Sequence, residues 1–557
     1  MDDSSSSEES EEENDDEPPA YVVRTSSSRQ GPSTLIDAAP FSSQPVYKYG
    51  KNKTKWSTSP IQAAKGPPTI KVIRRGYGKP FHNINPQTPG EAFKLFFTPD
   101  IVQEVITETN REAKRKLALK KKGSWKDISE SEFWGFLGIV LLAGVQKQAH
   151  VPIRELFQDP RSDPMYRATM SVTRFEEIRS NMRFDDRSTR KERKQSMGRL
   201  APIKKVFDIF NNNLRKAYEP HAELTIDEQQ HPYHGRCPII QFNPAKPAKY
   251  GIKVFWICDA VNGYALTGKI YTGKEDGQVS RDLASKVTKE LAAGFYDSGR
   301  VLTMDNFFTS LPLVEYLAEN KLAVVGTVRS NKPDLPPVLK ERGNRALYSS
   351  LFAFRPKVML VSYVAKKKKV VNFLSSMHSS GLVDTGEKRK PEVALFYNKT
   401  KIGVDLMDQK VADYSCARIT RRWPMASLYN MADIGCANGE IIFHILHPSD
   451  APDHRRLFLK ELAKELALPQ MHSRFMSNIR LRGPVIDAMK IFGFERVEQS
   501  ANLALLAPQA TAGARVRCRR CENDTKASKK CQYCQTPACG AHMRSFCDFC
   551  IKRMKFV

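Results

Sequence analysis

The feature that most constrains this chain is a change of period near Ala222. Before it, apolar residues recur at helical spacing over 89–109, 131–146, 173–183 and 203–218; after it they come in short runs bounded by turns. Leu224-Thr225-Ile226-Asp227 is a short apolar run that closes on an acid. Residues 252–260 and 264–272 are two strand-like runs joined through Asn262-Gly263, a strong short hairpin signal. A helical stretch over 280–295 leads to a second run that closes on an acid, Val301-Leu302-Thr303-Met304-Asp305. Residues 310–320 then read as helix and 323–329 as strand. The order strand, hairpin, helix, strand, helix, strand predicts a mixed α/β layer.

With 557 residues the chain exceeds one core and predicts roughly three or four domains. The formal net charge is +27, yet residues 1–17 hold ten acids and no Lys or Arg, so the remainder carries +37. Residues 18–80 hold eleven Lys/Arg against one acid, Asp37. Their Ser, Pro, Gly and Lys content predicts disorder. A dense basic run follows between Arg111 and Lys126. Such a charge favours a polyanionic partner; charge alone fits a membrane surface or structural RNA equally well. The longest apolar stretch, 133–145, falls short of the ~20 residues needed to cross a bilayer and predicts a buried helix. The acidic, Ser-rich N-terminus predicts no secretory signal, and with it a reducing compartment in which paired cysteines bind metal.

Seven of eleven cysteines fall in the last forty residues. They form the pairs Cys518/Cys521, Cys531/Cys534, Cys539/His542 and Cys547/Cys550, eight ligands for two tetrahedral Zn²⁺ ions. Interleaved spacing predicts a cross-brace: Cys518, Cys521, Cys539 and His542 on one ion, Cys531, Cys534, Cys547 and Cys550 on the other. Sequential pairing stays open. So short a segment depends on its metals to fold. Residues 514–557 carry eleven Lys/Arg and three acids, a balance that suits a polyanionic partner; a RING-like or PHD-like protein-binding module is the alternative. Cys237, Cys258, Cys416 and Cys436 read as buried apolar fillers.

Asp405 and Asp408 lie three residues apart, so on a helix both carboxylates project from one face. Alone, such a pair is a solvated helix face. Beside Asp227 and Asp305 it becomes half of a carboxylate cluster, the donor set of Mg²⁺ or Mn²⁺. Two ions about 3.5–4 Å apart hold the attacking and leaving oxygens of a phosphodiester substitution. Asp259 also ends a strand-like run, but it precedes the hairpin and reads as a turn cap.

Residues 85–552 resemble the piggyBac-type DNA transposases. The resemblance rests on Leu224–Asp227 in letters LTID, on 242–253 (FNPAKPAKYGIK) and on 304–310 (MDNFFTS). It continues through 326–332 (GTVRSNK), 398–409 (NKTKIGVDLMDQ) and Arg422-Trp423-Pro424. It departs at Ile402, where a second glycine often stands. The resemblance implies a multidomain α+β protein: a ribonuclease H-like α/β catalytic core with an inserted small β domain, flanked by a split helical domain, and a C-terminal cross-brace zinc-binding domain. The implied limits are 1–84 disordered, 85–222 helical (dimerisation and DNA binding), 223–331 catalytic core, 332–396 inserted, 397–414 catalytic core, 415–500 helical (dimerisation and DNA binding), 501–514 linker and 515–552 a zinc-binding module that binds DNA.

The resemblance also implies cut-and-paste transposition. Asp227, Asp305, Asp405 and Asp408 would be catalytic, with two Mg²⁺ or Mn²⁺ ions per site. DNA ends are cleaved, closed as hairpins, reopened and joined at TTAA targets. The partners are terminal inverted repeats and target DNA, the assembly a homodimer, the compartment the nucleus. A domesticated DNA- or chromatin-binding protein that no longer cuts is the alternative. Lys246, Lys249, Lys253, Arg329, Lys332, Arg418, Arg421 and Arg422 are DNA-contact candidates, the last three expected to continue the helix beyond Asp408. Trp423 carries two readings, base stacking and core packing.

Overall fold

The computed structural model describes residues 35–37, 46–61, 78–120, 123–244, 246, 248–273, 282–341, 345–449, 454–477 and 481–494. Of the tail it describes 516–517, 521, 525–527, 529–530 and 537–542. Strands β1 (Leu35–Asp37), β2 (Tyr47–Tyr49), β3 (Lys55–Ser57) and β4 (Lys79–Pro80) come first. Helices α1 (Pro89–Lys94), α2 (Pro99–Lys120), α3 (Glu130–Val145), α4 (Ile153–Gln158), α5 (Pro164–Thr169), α6 (Val172–Asn181), α7 (Arg190–Met197) and α8 (Lys204–Ala217) follow. Local chemistry sets their starts. Thr88 caps α1 ahead of Pro89, and Ser129 with Glu132 closes a capping box on α3. Residues 133–145 of α3 are buried on every side, as a continuous apolar run requires. The basic run after Arg111 is partly consumed internally: Arg111 pairs with Glu108 and Asp186, Lys114 with Asp127, Arg115 with Glu112.

Next come β5 (Tyr218–Glu219), β6 (Glu223–Pro232), β7 (Ile240–Phe242), β8 (Tyr250–Asp259), β9 (Ala265–Ile270), α9 (Leu283–Ala292), β10 (Val301–Met304), α10 (Leu311–Glu319) and β11 (Ala323–Val328). Strands β12 (Ser350–Arg355), β13 (Val358–Lys366), β14 (Lys369–Ser375) and β15 (Leu382–Asp384) lead to α11 (Glu392–Thr400), α12 (Gly403–Asp413), α13 (Trp423–Leu446), α14 (Arg455–Met476) and α15 (Gly483–Ile491). One sheet runs β2-β3-β12-β13-β14-β11-β10-β6-β8-β7, with β9 also on β8. Within it β6, β10 and β11 are parallel neighbours; β8 and β9 form the expected hairpin. The chain is thus a mixed α+β fold with parallel and antiparallel pairing in one sheet.

Helices from both ends of the chain close over the sheet. α14 packs along α3, α1 on α13, and α12 on β6 and β8. Buried Asn438 of α13 both donates to the Ala265 carbonyl and accepts from the Ala265 amide, 2.9 Å each, and so ties that helix to the edge of β9. No helix among the described residues is long and apolar enough to cross a membrane.

The structure corrects three expectations. Residues 332–396 do not form a separate β domain. β14 pairs with β11 from Val325↔Ser375 to Val328↔Asn372, satisfying an edge that would otherwise be left open. Val301, Val325, Val361 and Phe373 share one apolar cluster across that seam. Residues 46–61, expected to be disordered, carry β2 and β3, and β3 pairs with β12 through Ser57↔Phe354. Fully buried Trp56 supplies the apolar anchor that composition had hidden. Finally, α12 stops at Asp413, so Arg418, Arg421 and Arg422 do not continue its helix. The expected linker 501–514 lies outside the described residues.

Candidate active site

Parallel pairing places the first two acids. β6 and β10 run in register from Glu223↔Val301 to Ile226↔Met304, so Asp227 and Asp305 take the next step on adjacent strands. Asp305 leaves the strand in an Asx turn: its Oδ1 accepts from the Phe307 amide at 2.9 Å. Asp227 Oδ1 accepts from the Glu228 amide at 2.7 Å.

The second pair rides on α12, whose seat on the sheet leaves no room for side chains. A Cβ at Gly403 would lie 2.9 Å from the Asp259 carbonyl oxygen and 3.1 Å from Thr225 Oγ1. Across the contact, Gly263 of the hairpin turn has φ +74°, and a Cβ there would meet Leu406 Cβ at 2.9 Å. Ile402, the departure from the family pattern, is the N-cap residue and is partly exposed, where its side chain obstructs nothing. The preceding helix is fastened by threonines: Thr225 Oγ1 donates to the Thr400 carbonyl, and Thr303 Oγ1 lies 2.7 Å from Thr400 Oγ1.

Asp408 belongs to a buried polar relay that sequence reading missed. Gln229, fully buried, donates from Nε2 to Asp408 Oδ1 at 2.9 Å. Its Oε1 accepts from Trp256 Nε1 at 3.1 Å and Asn430 Nδ2 at 3.0 Å. Two donors on one side of the amide fix its orientation, so Nε2 must face the acid. The run Glu228-Gln229-Gln230 inside a strand was the available signal, since a strand that only filled a core would carry apolar residues there.

The acids feel one another. Burial, then the charges of Asp305 and Asp405, push the Asp227 carboxyl up to about 7. Burial raises Asp305, opposed by its two backbone donors. Burial raises Asp408, opposed by the Gln229 bond and by Lys246. Tyr397 stands in the same field; burial pushes its hydroxyl up to about 12, with Asp305, Asp227 and Asp405 adding to it. Asp259 is the turn cap expected: its Oδ1 accepts from the Val261 amide, and its Oδ2 holds the His221 amide and ring.

The basic candidates divide. Lys246 faces Asp408, and Lys249, Arg329 and Arg421 are exposed. Arg329 donates to Asn306 Oδ1 beside Asp305, at 3.0 Å, and partly buried Lys332 follows it in the same loop. Lys253 is committed to Glu228 at 3.3 Å. Arg418 and Arg422 turn inward: Arg418 donates to the carbonyls of Gln148 and Val151, Arg422 to those of Met182 and Arg179. Trp423 is 7 % exposed and belongs to the core. These three hold the helices together and are not free to meet DNA.

In the tail, Cys521 Sγ lies 3.2 Å from both Cys539 Sγ and His542 Nδ1. This is the one trio among the described residues whose ligand atoms all fall within 4.8 Å. Cys518, Cys531, Cys534, Cys547 and Cys550 lie outside the described residues.

Replacing Gln229 by Leu removes the acceptor of two buried donors. A cost of about 3 kcal/mol in urea unfolding is expected, against less than about 1 kcal/mol for Asp408→Asn, which keeps an oxygen for Gln229.

Residues 88–439 match the family described as Transposase IS4. The human piggyBac transposable element-derived protein 3 is 27% identical over 361 residues, covering 60% of this chain and 58% of that protein. The human piggyBac transposable element-derived protein 2 is 23% identical over 360 residues, with the same coverage. The chain therefore spans less than two thirds of the length of these relatives. A solved piggyBac transposase, captured by cryo-electron microscopy in a synaptic complex with hairpin DNA, superposes with a TM-score of 0.73 at 33% identity, over 86% of this chain and all of the other. With a matched segment that covers both strand-end acids and the α12 pair, the chain belongs to the piggyBac-type transposase family.

Proposed function

We propose that this protein is an active DNA transposase that cuts and rejoins DNA by cut-and-paste, through the carboxylates of Asp227, Asp305, Asp405 and Asp408. The observation that carries the reading is the convergence of adjacent parallel strand ends with α12. The order β9-β8-β6-β10-β11 with β6, β10 and β11 parallel supports a ribonuclease H-like core. The donor set fits hard divalent cations: all four groups are carboxylates, and a cation relieves the repulsion and burial that raise Asp227 and its neighbours. Two Mg²⁺ or Mn²⁺ ions there would supply positive charge to the attacking and leaving oxygens of an in-line substitution at phosphorus.

The chain's own part is positioning. The Asx turn aims Asp305, the Gln229 amide keeps one Asp408 oxygen engaged, and Lys246, Lys249, Arg329 and Lys332 draw the phosphate backbone toward the acids. One such site serves every step, because cleavage, hairpin closure and strand transfer are each substitution at phosphorus. Terminal inverted repeats as substrate, hairpin ends, TTAA targets, a homodimer with two sites and a nuclear location belong to this reading. The domain limits also belong to it, amended at 46–61 and 332–396. The tail is read as a DNA-binding zinc module with two Zn²⁺ ions, supported by the Cys521, Cys539, His542 trio that cross-brace pairing requires.

In an excision-and-rejoining assay in cells, Asp305→Asn should fall by at least about 10²-fold. Equal activity of the parent and Asp305→Asn removes Asp305 from the site. Inactivity of both leaves a DNA-binding protein that does not cut.

Asp227 holds its proton to about 7 in the folded chain against an ordinary 3.8. Folding therefore takes up that proton, and stability present at about pH 4 is lost as pH rises through about 7. A divalent cation displaces the proton, so the rise in Tm on adding Mg²⁺ should grow from about pH 6 to about pH 8. A rise that does not change with pH would separate Asp227 from the ion.

For the tail, zinc analysis should give two ions per chain. Cys539→Ser should remove one of them and leave the other.

A further inference from the structure

The hairpin of β2 and β3 is basic and aromatic, and it is fixed in place. Lys48, Lys51, Lys53 and Lys55 are exposed, and residues 46–61 hold no acid. Tyr47 and Tyr49 are 43% and 53% exposed. Pairing puts Tyr49 opposite Lys55 and Tyr47 opposite Ser57, so the tyrosines and Lys55 share one face, with Lys55 Nζ 3.7 Å over the Tyr47 ring. Lys48 and Trp56 take the other face.

A merely solubilising hairpin needs no anchor, but this one has several. Trp56 is fully buried and donates from Nε1 to the Asp334 carbonyl at 2.8 Å. Asn52 Nδ2 donates to Asp334 Oδ1 at 2.6 Å. A Cβ at Gly50 would lie 2.6 Å from the carbonyl oxygens of both Pro333 and Asp334. The loop that receives the hairpin begins at Arg329, bonded to Asn306 beside Asp305. Lys340 turns back onto the Lys332 carbonyl at 2.8 Å, close enough to Lys51 for the two charges to repel. The fold therefore holds like charges together in a track that starts at the acids and ends on the hairpin.

We infer that the hairpin of residues 46–57 grips the phosphate backbone of duplex DNA leaving the active site, with Lys51, Lys53 and Lys55 on phosphates and the tyrosine face lying along the groove edge. Duplex DNA is preferred over an acidic polypeptide because the track begins where phosphodiesters are handled; the inference rests in that respect on the function proposed above.

The test is anisotropy of a labelled duplex of arbitrary sequence with the full chain, titrated across salt. The variant Lys51→Ala/Lys53→Ala/Lys55→Ala alters only exposed side chains. Its slope of log K against log salt should be shallower by about 0.9 for each phosphate that the missing lysines no longer neutralise, with an unchanged Tm. An unchanged slope overturns the proposal. Weakened binding of polyglutamate or of single-stranded DNA with duplex binding intact also overturns it. Asp305→Asn separates the two ideas: it should bind this duplex with the parental slope and fail in the excision assay. If the parent binds through the hairpin yet never cleaves, the grip stands and the proposed chemistry falls.

Discussion

The backbone of α12 meets the hairpin turn and strand end beneath it with glycine on both sides of the contact, Gly403 and Gly263. Backbones can approach this closely only where no Cβ intervenes. The first turn of the helix is therefore set by main-chain contact, which side-chain rotamers cannot loosen. Asp405 and Asp408 inherit that setting. Asp227 and Asp305 inherit theirs from a parallel ladder in which each strand fixes its neighbour's register. The threonines at 225, 303 and 400 join the two halves, so strand ends and helix form one rigid frame.

That frame holds repelling groups together. Asp227 is raised by burial and by its fellow acids, and Asp305 and Asp408 by burial. The fold tolerates this because neutral donors surround the acids: backbone amides at Asp227 and Asp305, and an oriented side-chain amide at Asp408. A lysine or arginine tightly paired in the same places would neutralise the acids permanently. The nearest tight pair, Lys253 with Glu228, is formed with a different acid. Buried acids raised by their surroundings and supported by neutral donors form the setting in which the proposed divalent cations would bind.

Much of the frame was legible from local patterns. The two strand runs closing on Asp227 and Asp305, the Asn-Gly hairpin and the helix bearing Asp405 and Asp408 all follow from period and turn chemistry, which act within a few residues. What escaped depended on distant partners. Gln229 looked like one polar residue in a strand until Trp256, Asn430 and Asp408 met it. Arg418 and Arg422 looked like surface cations, but their guanidinium groups serve carbonyls more than two hundred residues earlier in the chain. Residues 46–61 looked disordered because their one decisive apolar residue, Trp56, is buried by a loop 278 residues away.

The sequence by itself picked out Asp227, Asp305, Asp405 and Asp408 as a set of candidate acids, and it determined the order of strands and helices around them, the paired cysteines and the basic character of the chain. These are properties of composition, spacing and short-range period. Tertiary structure alone decided that residues 332–396 extend the main sheet, that an N-terminal hairpin joins the same sheet, and which basic residues stay on the surface. Each of those outcomes turns on satisfying backbone edges and buried polar groups with partners far away in sequence, and no local pattern encodes which distant group will arrive.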